Sequence, residues 1–122
     1  MLVHKHVIIR AEVLNPPTCP KKVSEQVKDL IERIGMKIMM GPFAKYCPMP
    51  GNRGLTVATI IETSHIVMHT WDECNPALIQ LDVYTCGDLP TDIIFEEIKQ
   101  FEPVKVEYKY LNRERGLTEI EI

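Results

Sequence analysis

Residues 62–71, near the middle of the chain, read Glu-Thr-Ser-His-Ile-Val-Met-His-Thr-Trp and gather a hydroxyl nucleophile, two imidazoles and the single tryptophan. A serine can attack a carbonyl once a base takes its proton, and histidine suits that task near neutral pH. Ser64, His69 and, further on, Cys86 are therefore candidates for nucleophilic or acid–base chemistry. Such sites are recognised by geometry rather than by order along the chain, so residue type alone leaves a structural role open for each. Metal binding is the other chemistry to weigh. His4 with His6, or His65 with His69, could ligate zinc, and the second pair would share one face of a helix. Their surroundings are rich in Ile, Val and Thr and read as strand, and no further cluster completes a tetrahedral set, so no metal site is expected.

These groups depend on the elements that hold them. In residues 2–13, Val7, Ile9, Ala11 and Val13 alternate with His6, Ile8, Arg10 and Glu12, the period-two pattern of a strand with one buried face. Asn15-Pro16-Pro17 ends it, because adjacent prolines remove backbone donors and fix φ. Val23, Val27, Leu30, Ile31 and Ile34 then recur at helical spacing as far as Gly35, which suits a left-handed cap. Residues 36–40 are a short apolar run expected to form a second strand, and residues 41–54, with their prolines and glycines, are expected to contain an irregular loop.

Three strands are expected next, over 55–62, 65–71 and 78–86. The last has Ile79, Leu81, Val83 and Thr85 on one face and Gln80, Asp82, Tyr84 and Cys86 on the other. Composition shows no obvious turn at Thr63-Ser64, whereas residues 72–77 form a clear connection. A second helix begins at Leu89-Pro90, carries Ile94, Ile98 and Phe101 along one stripe, and ends before Pro103. A final strand covers 104–110, and residues 112–122 are too mixed to assign. The order β-α-β-β-β-β-α-β implies an α+β fold, a two-layer sandwich whose mainly antiparallel sheet carries both helices on one face.

A chain of 122 residues suits a single domain spanning 1–122. With 45% hydrophobic and 25% charged residues it has enough apolar surface to fold rather than stay disordered. A net charge of −3, with scattered basic residues, argues against a nucleic-acid partner, which needs a positive face for phosphates. No apolar run of about 18 residues is present to span a bilayer, so no membrane partner is expected. The first residues lack a secretory pattern, which points to the cytoplasm and to free thiols at Cys19, Cys47, Cys74 and Cys86.

The string from Thr63-Ser64-His65 through His69-Thr70-Trp71-Asp72-Glu73, followed by Leu81-Asp82-Val83-Tyr84-Thr85-Cys86-Gly87-Asp88, resembles the bacterial and archaeal S-adenosylmethionine decarboxylases. That family carries Glu-Ser-His-x-x-x-His-Thr-(Trp or Tyr)-Pro-Glu and then Val-Asp-Val-(Phe or Tyr)-Thr-Cys-Gly-Asp. The resemblance implies a compact α/β sandwich that forms a homodimer, with residues of both protomers near each active site. It also implies a proenzyme that cuts its own backbone. In the family a serine hydroxyl attacks the carbonyl before it, giving an ester, and β-elimination followed by hydrolysis then leaves a pyruvoyl group capping the C-terminal chain. Here that serine is Ser64 and the bond is Thr63–Ser64. The implied chemistry is a Schiff base between the pyruvoyl carbonyl and the amine of S-adenosylmethionine, which takes up the electrons released with carbon dioxide and yields the aminopropyl donor for spermidine synthesis.

By the same correspondence His69 assists processing by removing the α-proton, and Cys86 reprotonates the decarboxylated carbon. A thiol with an ordinary pKa of about 8.5 is largely protonated at neutral pH, which suits that role. Thr56 matches a family serine whose hydroxyl aids processing. Tyr46 or Phe43 is expected to offer an aromatic face to the adenine, and Glu73, which closes the first motif, to join Tyr46 at the substrate. The chain departs from the family where Thr63 stands for the usual Glu, where Asp72 stands for Pro, and in a connection between His69 and Cys86 that is two residues longer. A strict strand places Ser64 and His69 on opposite faces, so a bend or bulge is expected between them if they cooperate. Two other readings stay open: decarboxylation of another amino acid such as arginine or ornithine, and a non-catalytic homologue with a binding or regulatory role.

Overall fold

The computed structural model describes residues 3–122. Strand β1 (Lys5–Val13) alternates as expected, with Val7, Ile9, Ala11 and Val13 fully buried, while the expected start at Leu2 lies outside the described residues. Helix α1 (Pro20–Arg33) opens on a proline, whose missing N–H is no loss in a first turn, and buries Val23, Val27, Leu30 and Ile31. It closes through Gly35 at φ 79°, with the Met36 amide returning to the Ile31 carbonyl at 3.0 Å.

Strand β2 (Ile38–Cys47) corrects one expectation. It runs through the Gly41-Pro42 stretch read as loop, and the irregular segment shrinks to residues 48–53. As the edge strand of the sheet it pairs with one neighbour only, so a proline without an N–H is tolerated, and register shifts between Ile38 and Phe43 absorb the irregularity.

Strands β3 (Gly54–Ile61), β4 (Ser64–Trp71) and β5 (Ala77–Thr85) follow in a meander. Helix α2 (Thr91–Ile98) continues into a short 3-10 turn (Lys99–Phe101) before β6 (Pro103–Asn112). The unassigned tail supplies a short β7 (Thr118–Glu119), paired with the end of β6. The seven strands of the described residues form one antiparallel sheet in the order β2-β3-β4-β5-β1-β6-β7.

Both helices cover the sheet face that carries the buried Val57, Ile61, Ile66, Met68, Ile79, Leu81 and Val83, and Phe95 of α2 meets Tyr108 of β6 edge to face. The fold is therefore the expected two-layer α+β sandwich. Its other face is open and carries Thr56, Ile60, His65, His69, Asp82, Tyr84, His6 and Ile8. Among the described residues no helix is long and apolar enough to cross a membrane.

The β3–β4 turn sits one residue earlier than expected. Ile61 pairs with Ser64, so Glu62 and Thr63 form the two-residue loop and Ser64 already belongs to β4. A one-residue slip would turn Ile66 and Met68 out of the core, which selects this register. The expected bend between Ser64 and His69 is absent. Pairing runs unbroken from Thr56–His69 to Ile61–Ser64, and from His65–Tyr84 to Trp71–Leu78 on the other side. Since β4 is paired on both edges, a bulge would break ladder bonds on either side.

Candidate active site

The β3–β4 hairpin separates the expected reactive residues into two groups at its opposite ends. At the turn, three donors reach the carbonyl oxygen of Glu62: Thr63 Oγ1 at 2.7 Å, Ser64 Oγ at 3.2 Å and the thiol of Cys86 at 3.3 Å. Cys86 arrives there because β5 lies beside β4 and ends level with its start. Its thiol titrates below the ordinary range, chiefly because the Thr63 hydroxyl, and next the Ser64 hydroxyl, can turn to donate to the sulfur; burial and the charge of Glu62 act the other way. Thr63 holds φ 57°, a left-handed conformation that a β-branched residue rarely adopts. Ser64 is 8% exposed, and beside it opens a cleft of about 570 Å³ lined by Met39, Ile60, His65, Tyr84 and Arg113.

At the far end, Thr56 and His69 face each other across the ladder, with Thr56 Oγ1 and His69 Nδ1 3.0 Å apart. The Trp71 ring lies 5.9 Å from that of His69, and its indole N–H donates to Asn52 Oδ1 at 3.0 Å. This end is clamped by Asp72, which accepts from the Tyr46 hydroxyl at 2.7 Å and from Arg53 Nε at 2.9 Å. The residue that stands for the family's proline thus ties the β2–β3 and β4–β5 connections together. Glu73 accepts from the Arg53 amide at 3.0 Å, and backbone hydrogen bonds from Arg53 and Gly51 lower its pKa. Tyr46 shares the helix-side face with Leu55 and packs against the core, where the Asp72 carboxylate holds its proton and raises its pKa. Phe43 pairs with Ala58 instead and is 58% exposed.

Five residues of extended strand separate Ser64 from His69, roughly 17 Å at about 3.4 Å per residue. The two also project to opposite faces, so one chain does not bring them together.

On the open face beside the Ser64 end lies a cluster that sequence reading missed. His6, Tyr84 and His65 are cross-strand neighbours on β1, β5 and β4. With Asp82, the two histidines place one ring nitrogen each and a carboxylate oxygen within 4.8 Å of one another, an arrangement that could hold a metal ion. The histidine pairs weighed from sequence, His4–His6 and His65–His69, are not the ones assembled. Arg113 Nη1 stands 3.2 Å from His6 Nδ1 and, being only a donor, makes that nitrogen the acceptor. His6 therefore carries its proton on Nε2 and donates it to Asp82. Arg113 also lies over the Tyr84 ring, 4.4 Å from its centroid, while the Tyr84 hydroxyl meets His4 Nδ1 at 3.0 Å. Only the strand order β4-β5-β1 gathers these residues, so no local spacing signals them.

Comparison with known proteins agrees with the motifs. The model of the S-adenosylmethionine decarboxylase family matches residues 5–114. A protein of Pyrococcus abyssi named S-adenosylmethionine decarboxylase proenzyme is 31% identical over 119 residues, covering 93% of this chain and 79% of its own length. One of the same name from Archaeoglobus fulgidus is 29% identical over 118 residues, covering 95% of this chain and 100% of its own. The crystal structure of the adenosylmethionine decarboxylase of Aquifex aeolicus superimposes with a TM-score of 0.69 at 22% identity, covering 99% of this chain and 97% of that one.

Proposed function

The chain belongs to the S-adenosylmethionine decarboxylase family, and from that premise we propose that it is a self-cleaving cytoplasmic proenzyme that decarboxylates S-adenosylmethionine with a pyruvoyl group made from Ser64. Its product would be the aminopropyl donor for spermidine synthesis. The observation that carries the reading is the meeting of Ser64 and Cys86 on one carbonyl at the head of β4, beside the cleft. Residues there fit the implied group: a carbonyl capping β4 would have a thiol beside it and a partly apolar space in front. A pyruvoyl group in that place supplies an electron sink for carbon dioxide loss.

The chain's own residues do the rest. Cys86 holds a proton on Sγ for the carbon that loses carboxylate, and its lowered pKa makes that proton easier to give. Tyr84 offers a ring that already seats the guanidinium of Arg113, in keeping with a cationic substrate, and the cleft volume lies within the range of small-ligand sites. When His69 Nδ1–H donates to Thr56 Oγ1, Nε2 is left free to take a proton during processing.

That proton acceptor lies too far from Ser64 in one chain, which supports a homodimer formed through the open faces. A two-fold axis across the sheets would run the two β4 strands in opposite directions and set the Thr56–His69 pair of each copy against the Ser64 end of the other. Exposed Ile8, Ile60 and Phe43 supply apolar surface for that contact.

Denaturing mass spectrometry after prolonged incubation should yield a C-terminal fragment 64–122 headed by pyruvoyl, and Ser64→Ala should yield none. Labelled carbon dioxide should leave S-adenosylmethionine faster than arginine or ornithine. A chain that stays whole and releases no carbon dioxide would sink the reading.

A further inference from the structure

The donors at the turn converge on the carbonyl of Glu62, one peptide unit before the one that the motif assigns for attack. Thr63 Oγ1 is the nearest of them, at 2.7 Å from the Glu62 oxygen. The backbone explains why. At φ 57° the Cβ of Thr63 stands gauche to the carbonyl carbon of Glu62, whereas the φ values of ordinary strands and helices turn Cβ away from it. A hydroxyl can close a five-membered ring on the carbonyl before it only when its Cβ lies on that side. Ser64, in extended β4, has its Cβ turned from the Thr63 carbonyl, and its hydroxyl reaches past that carbonyl to Glu62. Ser64 Oγ and Cys86 Sγ are then placed to hold the negative charge that develops on the Glu62 oxygen.

We propose that Glu62–Thr63 is a second self-cleavage bond of this chain, with Thr63 as the nucleophile and a 2-oxobutanoyl group on residue 63 as the product. The inference rests on the reading that this turn processes itself, and adds a bond at which it does so. Thr63 Oγ1 forms a bond to the Glu62 carbonyl carbon, the bond to the Thr63 nitrogen breaks, and the hydroxyl proton passes to that nitrogen. The resulting ester loses the α-proton of Thr63 and the Cβ–Oγ1 bond, and Glu62 leaves as a carboxylate. Tautomerisation puts a proton on Cβ, water adds at Cα, and ammonia departs. One water is consumed for each chain cut, and no oxidant or reductant is required. A break at Thr63–Ser64 leaves Thr63 on the N-terminal fragment, so the 63–122 fragment headed by 2-oxobutanoyl forms only from molecules not already cut there.

Fragment masses decide the matter without any activity measurement. The wild-type chain, incubated and denatured, should give a fragment 1–62 together with 63–122 headed by 2-oxobutanoyl. Ser64→Ala should keep this pair while losing the pyruvoyl-headed 64–122. Thr63→Val, which retains the β-branch but not the hydroxyl, should lose fragment 1–62 entirely, with circular dichroism and melting showing the fold intact. Thr63→Ser should give 1–62 with pyruvoyl on residue 63, one methylene lighter. If every cleaved wild-type chain ends at Thr63, or if Thr63→Val still produces 1–62, the inference is overturned while the decarboxylase reading stands. No cleavage in any variant overturns both.

Discussion

The two ends of the β3–β4 hairpin position reactive side chains by opposite means. At the Thr56–His69 end the partners are direct cross-strand neighbours in an unbroken ladder, and the Asp72 clamp steadies the loops beyond them. Register alone sets the geometry there, and neither residue leaves ordinary strand conformation. At the Glu62–Ser64 end a two-residue loop forces a β-branched residue to φ 57° and stacks three donors on one carbonyl. Such a conformation costs of the order of 1–3 kcal/mol and persists only because the paired strands on both sides impose it. The strained end suits a single irreversible event at its own backbone, whereas the regular end holds a side-chain pair by register without such strain.

The sharpest break in this comparison should come at the regular end. A Cβ on Gly54 would meet the carbonyl oxygen of Thr70 at 1.8 Å, a backbone atom that cannot give way without parting β3 from β4. Gly54→Ala should therefore lose about 3 kcal/mol of stability, read as a fall in the urea midpoint. An unchanged midpoint would show that register does not hold this end.

The next effect is catalytic. His69→Ala should process roughly a hundredfold slower and gain turnover only as it does so, and Thr63→Val/Ser64→Ala should do neither. Refolded together in equal amounts, the two variants should recover roughly a quarter of wild-type turnover, because half of randomly paired dimers then hold one intact composite site. Folded mixtures that recover nothing would show that each chain completes its own site.

The smallest effect concerns pH. Hydroxyls that can donate to the Cys86 sulfur favour its thiolate, so the alkylation rate at Cys86 should rise with pH to a midpoint below that of an ordinary thiol. In Thr63→Val/Ser64→Ala the midpoint should move upward, as site-resolved peptide masses over a pH series would record. A midpoint that does not move would remove the hydroxyls as its cause.

Legibility in the sequence followed the range of the physics involved. The stripe Val23, Val27, Leu30, Ile31 and the alternation of Val7, Ile9, Ala11 and Val13 were readable because each element repeats its burial within a few residues. β2 was not, because what keeps Gly41-Pro42 in a strand is the pairing of an edge with β3. At the site, Ser64 and Cys86 were readable as a motif, and the structure brings them to one carbonyl through the adjacency of β4 and β5. His6, Asp82 and His65 were not, because β1 reaches them across the sheet, and Arg113 joined them from a tail without any pattern.

By itself, then, the sequence determined the elements other than β7 and the course of β2, the buried face of each, and the family whose motifs lie around Ser64, since periodicity and residue type are properties of short stretches of chain. Tertiary structure alone decided that Ser64 and His69 stand at opposite ends of one unbent strand, and that Thr63 bears a left-handed φ and is one of three donors on the Glu62 carbonyl. Both follow from the pairing of Ile61 with Ser64, and which residues pair across a sheet is chosen by the whole core at once.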